Sequence, residues 1–281
     1  MKDYRDKVAV ITGAGRGIGR GIALRCAKEG MKVVLAGFGM ESLTRTAADL
    51  DALGAETLIV QTDVSQVEQV ENLAAATVEA FGPVDLLVNN AGVAQPGKSL
   101  EITLDDWNWV MGVNFYGVLY CLRAFVPGMI KRKQPSRVVN VSSLSGVLPG
   151  GGSYGVSKHA VLVLTESLYQ DLAESAPHVK VSALCPGWVA TEFYRVDQSR
   201  PERFKGETTE VTDEHRETWR GWLTAGITTD QLAQILFDGL ARDQLYIGVQ
   251  GFRETGQDVG EKVMARAQNI VQEKNPPSSS S

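Results

Sequence analysis

Lys7-Val8-Ala9-Val10-Ile11, then Thr12-Gly13-Ala14-Gly15-Arg16-Gly17-Ile18-Gly19, then Arg20-Gly21-Ile22-Ala23-Leu24-Arg25-Cys26-Ala27 reads as a β-branched strand, a glycine turn and a helix. That unit decides the fold, because a strand delivered into a helix through such a turn belongs to a parallel sheet with crossover helices. The glycines at 13, 17 and 19 allow a tight turn, close backbone approach to a pyrophosphate and close helix packing. The helix N-terminus then faces the negative charge, so a dinucleotide is the natural ligand of the turn. A glycine-rich connection with no ligand is the plainer reading of the same residues.

Outward from this unit the chain alternates. Strands are expected near 7–12, 31–36, 57–61, 84–89, 137–142, 179–184 and 245–249, separated by helical stretches such as 41–53, 66–81, 103–133, 154–175 and 229–241. The pattern implies a single α/β domain, a Rossmann-type doubly wound parallel β-sheet flanked by helices on both faces, over about residues 1–274. Three strands end in polar or glycine residues: Asn89-Asn90-Ala91-Gly92, Ser142-Ser143-Leu144-Ser145-Gly146, and Cys185-Pro186-Gly187-Trp188-Val189-Ala190-Thr191. Open parallel sheets bind ligands at that end.

In Tyr154-Gly155-Val156-Ser157-Lys158 a tyrosine and a lysine four residues apart share a helix face, about one turn apart. A free phenol titrates near ~10, and a fixed ammonium beside it favours the phenolate. Tyr154 is thus expected to carry a lowered pKa and to exchange a proton with a substrate oxygen. Alone, the spacing equally describes a solvated helix pair.

Taken together and in this order, TGAGRGIG at 12–19, Asp63-Val64, NNAG at 89–92, Asn114, SSLSG at 142–146, YGVSK at 154–158 and PGWVAT at 186–191 resemble the short-chain dehydrogenase/reductase family. The resemblance runs continuously over about residues 5–195 and more loosely to about 250. It implies hydride transfer between a nicotinamide and a carbonyl carbon, with Tyr154 as proton donor and Lys158 holding the nicotinamide ribose. It selects Ser143 from three loop serines to bind the substrate oxygen, and assigns Asn114 to a helix interruption supporting a proton relay. Asp63 would accept from the adenine amine beside Val64, with Asn90, Ala91 and Gly92 on the adenosine side. Pro186, Gly187, Val189 and Thr191 would contact the nicotinamide, whereas Thr12 more plausibly ties the turn to a neighbouring strand. The Ser143 to Tyr154 interval is about two residues shorter than is usual in the family, filled by Pro149-Gly150-Gly151-Gly152.

Cofactor choice rests on the second strand, where an aspartate would bind a ribose 2'-hydroxyl and repel a 2'-phosphate. That position holds Gly37, and Arg16 offers a cation to the phosphate. NADP(H) is favoured, with NAD(H) second. Residues 192–228 are expected to form a substrate lid; Phe193 and Tyr194, with Trp188 and Ser145, would line an apolar pocket suited to a bulky or aromatic ketone.

Composition agrees with an enzyme of small molecules. A net charge of −5 with no basic block argues against nucleic acid and anionic membranes. No apolar run is expected to reach the ~20 residues of a bilayer span, and a cytoplasmic location follows. The three cysteines (26, 121, 185) form no CxxC pair and are read as reduced, and His159, His178 and His215 share no ligand spacing, so no metal is expected. The tail 275–281 reads as disordered. A carbonyl reductase or secondary alcohol dehydrogenase leads, ahead of a 3-oxoacyl reductase on carrier or CoA thioesters and a non-catalytic dinucleotide-binding regulator. By resemblance, helices 103–133 and 154–175 build a homotetramer or a homodimer.

Overall fold

The computed structural model describes residues 3–248 and 259–272. Val8–Thr12 (β1) is buried at every position, and Gly17–Lys28 (α1) buries Gly19, Ile22, Ala23 and Cys26. There follow Lys32–Gly37 (β2), Met40–Asp51 (α2), Thr57–Gln61 (β3), Val67–Phe81 (α3) and Leu86–Asn89 (β4). A long helix comes next, in three parts: Leu104–Met111 (α4), a π-helical turn Gly112–Tyr116, and Gly117–Arg132 (α5). Ser136–Val141 (β5), Gly152–Ser175 (α6), Val179–Leu184 (β6), Asp213–Thr224 (α7), Thr229–Ala241 (α8), Tyr246–Ile247 (β7) and Val259–Val271 (α9) complete the described chain.

The sheet is parallel throughout, ordered β3-β2-β1-β4-β5-β6-β7. Strand alternation divides its side chains between two cores. Val8, Val10, Val34, Leu87 and Val138 meet Leu73 of α3, Phe125 of α5 and Val161 of α6. Ala9, Ile11, Val33, Leu35, Leu86 and Val88 meet Ile22 of α1, Leu43 of α2 and Leu236 of α8. Each large apolar side chain so enclosed contributes roughly 1.5–3 kcal/mol. Helices cover both faces, which is why the strands read as near-continuous apolar runs.

The expected strands all form, with edges moved by one or two residues, except that the last contracts to Tyr246–Ile247. Its position 249 and the tail 275–281 lie outside the described residues. Two helices went unread: α7, which buries only Leu223, and α9, which buries nothing. The expectation of no span-length apolar run is corrected: Leu104–Arg132 is long and apolar enough to cross a membrane. More than half of its most apolar window, 56%, is buried inside the protein, and Trp109, Phe125 and Met129 sit in the core, so it is a core helix here.

Where the order reverses between β1 and β4, the glycine turn is closed by backbone approach. A Cβ on Gly19 would lie 2.3 Å from the carbonyl oxygen of Gly13, whose own φ of +64° suits glycine. The Gly13 carbonyl is backbone and cannot rotate away, and the Asn90 side-chain amide, 2.5 Å from the same position, is held by its bond to Thr12 O. Gly19→Ala is therefore expected to lose about 1–3 kcal/mol of stability by overpacking and to distort the turn. Urea unfolding checks the first effect, and loss of dinucleotide binding in calorimetry the second.

Candidate active site

β1 and β4 deliver the floor of the site. The Thr12 hydroxyl oxygen accepts the backbone N–H groups of Asn90 (2.9 Å) and Ala91 (3.0 Å), and Asn90 Nδ2 donates back to Thr12 O at 2.9 Å. Thr12 thus ties the turn to β4, as read, and the Asn90 side chain is committed to the same lock. Above this floor lies a cleft of about 1050 Å³. Gly13, Gly15, Arg16, Gly17, Ile18, Gly37, Asp63, Val64, Asn90, Ala91, Gly92, Pro186, Gly187, Val189 and Thr191 all line it, as do Ser143, Ser145, Tyr154, Lys158, Trp188 and Phe193. Gly19, Asn114 and Tyr194 do not: Gly19 packs beneath the turn, Asn114 is wholly buried, and the Tyr194 ring lies under the Arg195 guanidinium at 5.2 Å. Tyr194 is therefore withdrawn as a pocket residue.

Asn114 occupies the middle of the π turn, where the widened helix frees backbone groups. Its Oδ1 accepts Val93 N–H (2.8 Å), and its Nδ2 donates to Val93 O (2.9 Å) and to Ser157 Oγ (2.9 Å). A Cβ placed on Gly92 would lie 3.3 Å from Lys158 Nζ and 3.5 Å from Asn114 Oδ1, so both face one small space that only glycine leaves open. Of the three loop serines, Ser142 spends its hydroxyl on Lys158 O (2.8 Å), and Ser145 donates its N–H to Ser143 Oγ (3.1 Å). Ser143 is the one hydrogen-bonded to the Tyr154 hydroxyl.

The expected lowering of the Tyr154 pKa does not occur. Burial raises it, and the Ser143 hydrogen bond offsets only part of that rise. Lys158 Nζ sits 5.7 Å from the Tyr154 ring centroid and donates to Val141 O at 2.8 Å. Burial pulls its pKa down from 10.5 to about 8. The same desolvation disfavours phenolate and ammonium alike, which sequence spacing cannot reveal. Tyr154 stands in the first turn of α6, where the helix dipole favours any phenolate that forms.

Asp63 lines the cleft, but its carboxylate is already engaged. Oδ1 accepts the N–H (3.1 Å) and hydroxyl (2.6 Å) of Ser65, and Oδ2 pairs with Arg203 at 2.6 Å. Burial alone would raise its pKa; the hydrogen bonds from Arg203 and Ser65 outweigh that and hold it below the ordinary carboxylate value.

The roof is aromatic. Phe193 lies 5.9 Å from Tyr154 and 6.4 Å from Trp219, its ring nearly parallel to the indole, and Trp188 lies 5.0 Å from Trp222. The expected lid at 192–228 is fastened in its middle. Arg200 pairs with Asp106 of α4 at 2.6 Å, both buried, stacks over Trp109 at 4.2 Å and donates to Gln95 Oε1 at 2.7 Å. Thr209 donates twice to Asp106 Oδ2 (2.9 and 2.7 Å). Sequence reasoning missed this strap, together with Gln95, Trp219, Leu223, Val259 and Lys262 in the lining. His215, which shares no ligand spacing with the other histidines, also lines the cleft, its Nδ1 2.9 Å from the Thr212 hydroxyl. Only the aromatic spacing signalled any of them.

The residues present fit a dinucleotide. The α1 N-terminus has no side-chain cap, leaving its first N–H groups free for an anion, and the Gly92 space adjoins Lys158.

Comparison with known proteins agrees. The chain matches the short chain dehydrogenase family over residues 7–201. A crystal structure of a short chain dehydrogenase/reductase from Burkholderia phymatum in complex with NAD superposes with a TM-score of 0.91 at 38% identity, covering 99% of this chain and 98% of that one. A CLA biosynthesis dehydrogenase/reductase of Lactiplantibacillus plantarum is 34% identical over 254 residues, 88% of this chain and 89% of the relative. A 3-oxoacyl-[acyl-carrier-protein] reductase of Synechocystis is 36% identical over 191 residues, 66% of this chain and 76% of the relative. Sheet order, cleft and sequence together make this chain a member of the short-chain dehydrogenase/reductase family of oxidoreductases.

Proposed function

We propose that the protein interconverts a ketone and a secondary alcohol, with Tyr154 as general acid and base. The observation that carries this reading is the half-buried Tyr154 lining the cleft, its hydroxyl hydrogen-bonded to Ser143 and its ring facing Phe193, with buried Lys158 one turn on. A bound nicotinamide supplies or accepts the hydride at the carbonyl carbon. In reduction, Tyr154 gives its proton to the substrate oxygen while Ser143 steadies the charge developing there. Lys158 stabilises the phenolate left behind, and Asn114, oriented by Val93 and Ser157, backs the space through which the proton is replaced. Gly13 to Ile18 would hold the pyrophosphate, Lys158 the nicotinamide ribose, Asp63 and Val64 the adenine, and Val189 and Thr191 the carboxamide.

The roof of Trp188, Phe193 and Trp219 supports a bulky, aromatic or alicyclic substrate. A 3-oxoacyl thioester is the second reading, favoured by the Synechocystis relative. Comparing free ketones with carrier-linked 3-oxoacyl substrates separates the two. Exposed Tyr116, Val156, Val163 and Tyr169 on the long helices support a homotetramer or homodimer, and a solution mass of one 30.4 kDa chain would remove that part. The three free, buried cysteines accord with a cytoplasmic location.

Tyr154→Phe is expected to keep dinucleotide binding and lose turnover by about 10²-fold or more. Substantial residual kcat would take Tyr154 out of the central role. The pH dependence follows from the two shifts. Tyr154 keeps its proton beyond its ordinary range, whereas Lys158 loses its own as pH rises through about 8. For reduction, kcat/KM should be flat on the acid side and fall as pH climbs through about 8; a rise there would contradict the role given to the ammonium.

NADP(H) is the cofactor proposed. β2 ends in Gly37 without a carboxylate, and exposed Arg16 makes no side-chain hydrogen bond or ion pair among the described residues. NAD(H) is the second reading, favoured by the NAD complex of the Burkholderia relative. A Cβ at Gly37 meets only ordinary contacts, the nearest being Leu43 Cδ2 at 3.5 Å, so Gly37→Asp fits sterically. It should shift preference toward NADH, and Arg16→Ala should weaken NADPH more than NADH. Equal effects of Arg16→Ala on kcat/KM for both cofactors, with a wild type preferring NADH, would exclude the phosphate site.

A further inference from the structure

Asp63 is the carboxylate assigned to the adenine amine, and both of its oxygens already face a partner, Oδ1 through hydrogen bonds and Oδ2 through an ion pair. Two donors from Ser65 fill the two lone-pair positions of Oδ1. Oδ2 has no exposed surface, and its approach is taken by the Arg203 guanidinium at 2.6 Å. Arg203 also donates to Ser65 Oγ, so it grips the same turn twice. It comes from the turn Glu202–Phe204, in the part of the lid that Arg200 fastens to α4.

The two arginines differ in freedom. The Arg200 side chain is 6% exposed and locked among Asp106, Trp109 and Gln95; that of Arg203 is 36% exposed, rests over the Phe204 ring at 4.4 Å and has solvent to move into. A half-open ion pair of this kind is weak enough for another donor to displace. An adenine amine can donate to Oδ2 only where the guanidinium now stands.

We propose that Arg203 and the exocyclic amine of adenine are alternative partners of Asp63, which makes Arg203 a specificity-determining residue of the adenine subsite. The inference rests on the dinucleotide reading above. A base with a donor at that position displaces Arg203 and takes its acceptor, whereas a base without one leaves the guanidinium in place and gains nothing from the carboxylate. Seating adenine thereby frees the Glu202–Phe204 turn from Asp63 while Arg200 keeps the strap on α4.

Calorimetric titration with NAD⁺ and with its hypoxanthine analogue, which carries a carbonyl in place of the amine, tests this on the full chain. The readout is the ratio of the two affinities, in which altered net charge and any loosening of the strap cancel. Arg203→Met should raise the preference for NAD⁺ by about threefold or more over wild type. Arg203→Lys, which keeps the charge with a single donor group, should raise it less. The gain should vanish in Arg203→Met/Asp63→Ala. An unchanged or reduced ratio in Arg203→Met overturns the competition. If Asp63→Ala alone then lowers the wild-type ratio, Asp63 still reads adenine and only the competition fails. If Asp63→Ala leaves that ratio untouched, the adenine assignment falls too. A gain persisting in the double variant also refutes the proposal.

Discussion

Everything at the ligand-facing edge of the sheet depends on the lock between β1 and β4. One hydroxyl, that of Thr12, accepts two successive backbone N–H groups, and the Asn90 amide returns a bond to the Thr12 carbonyl. At this edge the crossovers depart in opposite directions and no ladder continues, so backbone groups would otherwise be left unpaired. Satisfying them with side chains brings the glycine turn and the Asn90–Gly92 segment within van der Waals reach, as the 2.9 Å from a Gly13 Cβ position to Ala91 Cα shows. The floor is rigid for that reason.

On that floor, burial governs the chemistry more than charge proximity does. Lys158 is buried and Tyr154 half-buried, and desolvation keeps the phenol protonated while loosening the proton on the lysine. Both groups are thereby biased toward their neutral forms, so the phenolate that forms on proton donation depends on the neighbouring ammonium for its stability. The roof adds an apolar wall of Phe193 and Trp219 beside the tyrosine ring.

What could be read from sequence was local. The strands announced themselves because both faces are covered, and Tyr154 and Lys158 because helical spacing fixes their separation. Ser143 could not be told from Ser142 or Ser145 by residue type, since all three are polar residues of one turn; the family resemblance made the choice, and the fold adds that Ser142 is committed to Lys158 O while Ser143 reaches Tyr154. Arg200 with Asp106, and Arg203 with Asp63, join residues roughly a hundred positions or more apart in charge-rich stretches with no periodic signal. α9 was invisible because it buries no residue, yet it brings Val259 and Lys262 to the cleft. The direction of the Tyr154 shift was misread because spacing names a neighbour and says nothing about solvent.

The π turn at Gly112–Tyr116 has a consequence beyond the orientation of Asn114. One surplus residue in a helix changes its phase by about 100°, so α4 and α5 are rotated against each other on a common axis. Because of that offset, α5 can turn Cys121, Phe125 and Met129 into the core while α4 turns Asp106 and Trp109 toward the strap. The bulge acts as a swivel: removing a single residue from it would restore a uniform helix and carry the Arg200 anchor around to the wrong side, so the length of this helix is fixed by the roof of the cleft as firmly as by the core beneath it.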